Sequence, residues 1–171
     1  MQIKLESKKT NELDRNTILN ICRLKNIHWK FGYSNQIHWF NENIKKNDIH
    51  NLCFLNKNLI GYTALRQGYY FVKKNKKKNF LLFDTLIVNP KYRKKKLGDL
   101  LMKFNNLIIL KEKKPSFLVC KNKLIKFYRL NNWKVIARQK YKTLYKSFNL
   151  KGMTFHFNEK IKNKIYFNLS K

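Results

Sequence analysis

The stretch "FLLFDTLIV", residues 80–88, is almost unbroken apolar sequence, interrupted only by Asp84 and Thr85. A β-prone run without alternation predicts a strand covered on both faces, so the chain must place layers above and below a sheet. Asn89-Pro90 ends that strand, because proline gives up a ladder donor and disfavours helix in the residue before it. Four consecutive cations, Arg93 to Lys96, come next. From Leu97 the apolar period becomes helical, with Leu97, Leu100, Leu101, Phe104, Leu107 and Ile108 on one face as far as the charged "KEKK" before Pro115. A buried strand, a tight basic loop with Gly98 and a long helix make a phosphate-binding layout, since loop N–H groups and the positive end of the helix dipole converge on one point. GxxxxGK[ST] and GxGxxG are absent, so neither a P-loop nor a dinucleotide fingerprint is supported.

The flanking sequence supplies the other layers. "MQIKLES" alternates as a first strand, and Asp14 or Asn16 can cap a helix through "TILNICRLKNIHW", with a stripe at Ile18, Ile21, Cys22 and Leu24 to Lys25. Gly32 breaks it, and Ser34 is a cap for a second helix, "NQIHWFNENI", with Ile37, Phe40 and Ile44 on one face. "HNLCFLNKNLIGYTALRQ" reads as a hairpin around the turn "NKN", with Asp48 and His50 as turn residues ahead of it. "GYYFVKKNKKKNF" reads as a strand end and an exposed lysine loop at 73–78. "SFLVC" is a short buried strand and "NKLIKFYRLNNW" a helix. "WKVIARQ", "MTFHFN" and "KIYFNLS" are closing strands, the last two antiparallel neighbours. Early hairpins followed by alternating helices and strands predict an α/β (α+β) fold, a mixed sheet with helices on both faces. With 171 residues, 43% hydrophobic, the expectation is one domain over 1–171.

Charge points less clearly. The chain has 39 Lys+Arg against 9 Asp+Glu, a formal net charge of +30, which on its own favours an anionic partner. The excess is nearly all lysine, scattered along the chain, and Lys, Asn and Ile share A/T-rich codons, so base composition accounts for much of it. Cys22, Cys53 and Cys120 are odd in number and far apart, which fits reduced thiols. The four histidines show no metal-ligand spacing, so no metal is expected. No apolar run approaches the roughly 20 residues of a membrane span, and the start lacks a signal core; a cytoplasmic protein is expected.

"LIVNPKYRKKKLGDLLM" resembles the acyl-CoA-binding signature of the GNAT superfamily of N-acyltransferases, with Val88, Pro90, Tyr92, Arg93, Gly98, Leu101 and Met102 in register. "CKNKLIKFYRLNNWK" is similar to a second motif of the family, through Phe127, Tyr128 and Trp133. The two motifs occupy residues 80–138 and the late strands 133–169. The resemblance implies a mostly antiparallel central sheet flanked by helices, in which Phe83–Val88 splays from a parallel neighbour, Phe117–Cys120, to form the acyl-CoA cleft. Pantetheine would bond the backbone of Leu86, Ile87 and Val88. The loop amides of Arg93, Lys94, Lys95, Lys96, Leu97, Gly98 and Asp99 would hold the pyrophosphate. Asn122 lies near the position of a cofactor-contacting asparagine, and Tyr128 would protonate the leaving thiolate.

The implied activity is transfer of an acetyl group from acetyl-CoA, as co-substrate, to a primary amine by direct attack in a ternary complex. The amine must be neutral to attack, and Asp84 is the candidate base, because burial raises a carboxyl pKa. A paired structural carboxylate is the equal alternative. Lys94 and Lys96 stand where the family has glycines, which leaves three outcomes: tolerated lysines, a different acyl-CoA, or an inactive relative that binds CoA. "IHWKFGYSNQIHWF" offers His28, Trp29 and Tyr33, with His38 and Trp39, to line an amine pocket, although ordinary packing accounts for Trp39 and Phe40. A small-molecule amine or amino-sugar acceptor is favoured over a protein N-terminus or lysine. A basic nucleic-acid-binding module is the alternative from a different class, and monomer and homodimer both stay open.

Overall fold

A computed structural model describes residues 2–71, 77–143, 150–157 and 164–169. They form two compact units, one of Met1–Arg66 with Asp84–Asn105, the other of Gln67–Phe83 with Asn106–Lys171. No helix among the described residues is long and apolar enough to cross a membrane.

The first unit begins with β1 (Ile3–Lys9), α1 (Arg15–His28), α2 (Tyr33–Asn43) and β2 (Ile49–Leu55), followed by β3 (Asn58–Phe71), which continues into the second unit. Asp14 caps α1, accepting from the Thr17 amide at 2.8 Å and its hydroxyl at 2.7 Å. Helix α2 does not start at Ser34: Gly32, at φ 92°, is its N-cap, a conformation open to glycine, and Ser34 lies inside the first turn. β1 and β3 both run antiparallel to β2. The β2–β3 turn is Asn56-Lys57, with φ of 47° and 68°, the paired positive angles of a type I′ hairpin. Asp48 and His50 are not exposed turn residues. Both are buried, Asp48 at the end of its turn and His50 within β2.

A bulge decides which side chains meet which helices. Pairing shifts from Cys53↔Gly61 to Phe54↔Leu59, leaving Ile60 as the extra residue. Leu52, Tyr62 and Ala64 therefore pack with Ile21, Cys22, Leu24, Phe40 and Ile44 of the paired helices and the turn after them. Cys53, Leu55 and Ile60 instead pack with Leu97 and Leu101 of α3 (Leu97–Lys111). The sheet of this unit thus has a helical layer on each face.

Strand β4 (Lys77–Val88) carries the apolar run. In the second unit it pairs in parallel with β5 (Ser116–Lys121) through Leu81↔Ser116 and Leu82↔Phe117, and β5 pairs antiparallel along its length with β8 (Leu150–Phe155). Helix α4 (Ile125–Leu130) is short and follows a 3₁₀ turn, and β6 (Lys134–Ile136) pairs with β8. β7 (Tyr141–Thr143) runs parallel to β9 (Ile165–Leu169), which is antiparallel to the end of β3. The expected pairing of the last two strands is therefore corrected: β8 sits beside β5 and β6, while β9 sits beside β3 and β7. Aromatic packing explains the placement of β9, since Phe167 stacks on Phe117 at 4.1 Å between centroids and lies 4.9 Å from Phe80. Of the expected lysine loop, residues 73–76 lie outside the described residues. The sheet is mixed and mostly antiparallel, flanked by helices, as the order of elements predicts.

The inward face of α3 differs from its apolar reading. Leu107 is 62% exposed, whereas Asn105 and Asn106 are buried. Each asparagine's side-chain oxygen is satisfied, whereas Asn105 Nδ2 is buried without a partner among the described residues. Asn105 accepts from Asn51 at 2.9 Å and from Thr63 at 3.0 Å in the first unit. Asn106 accepts from the Trp133 indole at 3.0 Å and donates to the Asn131 carbonyl at 2.8 Å in the second.

Candidate active site

The segment between β4 and α3 is built from its own backbone. The Asn89 side chain accepts from the Lys91 amide at 3.1 Å and opens a 3₁₀ turn, Pro90–Tyr92. The Asn89 amide donates to Ile60 at 2.8 Å, fixing where β4 stops. Lys94 and Lys96 then take φ of 64° and 55°, left-handed values that cost an L-residue about 1 kcal/mol or more each. The positions where the resemblance calls for glycine therefore have glycine's conformation with lysine side chains on them. Those side chains point to solvent. The Lys96 carbonyl accepts from Leu100 at 3.1 Å, so Lys96 is the N-cap and the amides of Leu97 and Gly98 lie in the first turn, without intrahelical acceptors.

Arg93, although exposed, reaches back to β4 and α1. Its Nε donates to the Val88 carbonyl at 3.3 Å, its guanidinium meets His28 Nδ1 at 3.1 Å, and its amide is engaged by Pro90. Burial, then the Arg93 charge, holds the His28 pKa below its ordinary value, so neutral His28 accepts this bond. His28 thus ties α1 to the loop.

A cavity of about 350 Å³ opens beside the polar pair of β4, lined by Lys25, Trp29, Phe31, Gln36, Trp39, Asp84 and neighbours. Trp29 and Trp39 both line it. Tyr33 is not among the lining residues; its hydroxyl is buried without a hydrogen-bond partner among the described residues, and the Arg23 guanidinium lies over its ring. Asp84 meets Arg66 at 3.7 Å, and Arg66 also reaches Asp48 at 3.8 Å. Burial raises the Asp84 pKa, with Arg66 and then Lys25 opposing the rise. Lys25 is 5% exposed, and its ammonium sits 3.6 Å from the Trp39 ring centroid. Burial lowers its pKa to about 8. Lys25 and Arg66 did not feature among the expected site residues.

In the second unit Tyr128 is buried, edge-on to Phe83 at 6.2 Å and tilted against Trp133 at 6.2 Å. Burial, followed by Cys120, pushes its pKa further above the ordinary phenol value, so it holds its proton at neutral pH. Asn122 begins the exposed 3₁₀ turn ahead of α4.

This is the fold of the GNAT superfamily of N-acyltransferases. The chain superposes on Escherichia coli ElaA at a TM-score of 0.65 with 16% identity, over 90% of this chain and 99% of that one. For an acyl-CoA N-acyltransferase from Pseudomonas aeruginosa the score is 0.67, at 12% identity over 90% and 99%. An aminoglycoside 6'-N-acetyltransferase complexed with coenzyme A gives 0.63, at 10% identity over 88% and 96%. At such identities the likeness is one of fold. No family model matches the sequence, and no curated protein does.

Proposed function

We propose that the protein is an acyl-CoA-dependent N-acyltransferase that moves an acetyl group from acetyl-CoA to a primary amine by direct attack. The observation that carries this reading is the backbone of Lys94 and Lys96. Left-handed residues alternating with ordinary ones at a helix N-terminus turn successive amides towards one anion. A loop that served only as a solvated basic patch would have no cause to hold two lysines there. Coenzyme A bound to a solved protein of the same fold supports the choice of anion.

In this reading Lys94 to Asp99 hold the pyrophosphate, and the strand Leu86 to Val88 meets the pantetheine arm. Val88 offers less than its neighbours, since Arg93 already occupies its carbonyl. Asp84 takes a proton from the acceptor ammonium. The freed lone pair forms the N–C bond as the C–S bond breaks, Tyr128 gives its proton to the departing sulfur, and the second proton shed by the acylated nitrogen returns Tyr128 to its neutral form. Asn122 would assist at the pantetheine end.

Acetyl-CoA at millimolar concentration should raise the melting temperature by mass action, and more than adenosine does. No shift with acetyl-CoA or with longer acyl-CoAs would sink the reading.

A further inference from the structure

The cavity beside Asp84 holds a buried cation, Lys25, that among the described residues feels the Asp84 charge but makes no salt-bridge contact. Lys25 is held on α1 at a stripe position, buried and above Trp39, and among the described residues no carboxylate lies within ion-pair distance of it. Both nearby acids are engaged by Arg66. A buried ammonium without a contacting anion is costly: burial lowers the Lys25 pKa, and the Asp84 charge offsets that only in part. Lys25 and Trp39, the ring its ammonium sits against, both line the cavity, so a ligand can supply the contact that the protein does not.

Charge balance narrows the ligand. Lys25 and Arg66 against Asp48 and Asp84 sum to zero. A bare cationic amine would bring an uncompensated positive charge into a site already holding two. An acceptor with a carboxylate beside its amine brings none, and places opposite charges against Asp84 and Lys25. The walls are Trp29 and Trp39, and Phe31 is 69% exposed in the chain that lines the cavity, an unusual position for a phenylalanine. We infer that the acceptor is a free α-amino acid with an aromatic or bulky apolar side chain, its ammonium at Asp84 and its carboxylate at Lys25. This inference rests on the acyltransferase reading for the reaction, though not for the binding.

The test compares L-phenylalanine with phenethylamine and phenylalaninamide, which keep the amine and ring but lose the carboxylate. Turnover is followed by thiol release from acetyl-CoA, and binding to the free protein by calorimetry. L-Phenylalanine should exceed both analogues in kcat/KM by about tenfold or more, as expected for loss of a charge-assisted contact. Lys25→Met should bring the ratio towards one, chiefly through KM for the amino acid. The wild-type comparison stands even if Lys25→Met fails to fold. Equal or better use of the analogues by the wild-type protein overturns the inference. If acetyl-CoA raises the melting temperature but L-phenylalanine is neither bound nor acetylated, the inference falls and the acyltransferase reading survives. If acetyl-CoA does not bind while L-phenylalanine binds and phenethylamine does not, the reading falls and the pocket assignment stands.

Discussion

Lys96 sits in a backbone conformation that glycine adopts freely and lysine resists. Lys96→Gly removes left-handed strain of about 1 kcal/mol but adds roughly 0.5–1 kcal/mol of unfolded-state entropy. Urea melts should therefore show unchanged stability or a gain below about 1 kcal/mol, and calorimetry should show acetyl-CoA affinity kept. Lys96→Ala retains the strain and loses the charge, so a loss of affinity in both variants would make the ammonium essential. Tyr128→Phe should lower kcat on the order of 10²-fold while acetyl-CoA affinity stays within about twofold, because only proton donation is lost. Equal losses in both would assign Tyr128 a packing role against Phe83 and Trp133. Both residues were legible from motif register. Lys25 was not, although its place in the apolar stripe of α1 was visible. A lysine in such a stripe usually turns outward, whereas this one meets the Trp39 ring and the field of Asp84 inside.

At the scale of elements, the run from β4 through the loop into α3 was readable because strand and helix periods change abruptly at Asn89 and Leu97. The inward face of α3 was not. Asn105 and Asn106 become core residues only through partners remote in sequence, Asn51 and Thr63 for one and Trp133 and Asn131 for the other. The β8 and β9 placements failed for the same reason, since short alternating strands pair equally well with several edges. Contact between β7 and β8 allows a direct check. A Cβ on Gly152 would lie 2.7 Å from two ring atoms of buried Tyr141, and an aromatic ring cannot fold aside. Gly152→Ala should cost about 1–3 kcal/mol in a urea melt, and a simultaneous Tyr141→Leu should recover part of it.

Across the whole molecule, the formal +30 says less than a few buried groups do. His50 is fully buried, 2.9 Å from the Thr10 hydroxyl and 2.8 Å from the Tyr62 hydroxyl, and faces Phe40. Burial, then the Lys25 charge, lowers its pKa from 6.5 to about 4. The folded state therefore takes up this proton later than the unfolded chain as pH falls. Its contribution is complete above about pH 6.5 and is lost progressively as pH falls through 4, on the order of 3 kcal/mol in all. Unfolding free energies at pH 7 and pH 4.5 should differ by more in the wild-type protein than in His50→Gln; equal differences would remove His50 from the account. Sequence alone determined the order of elements as far as β6, the buried central strand and the basic loop that joins it to a helix, because each is encoded in local periodicity, turn chemistry and a contiguous motif. Tertiary structure alone decided that Lys25, Arg66, Asp48 and Asp84 share one charge-balanced site. Their meeting depends on a bulge, a helix rotation and a strand register, and each of these is set by packing between residues far apart in the chain.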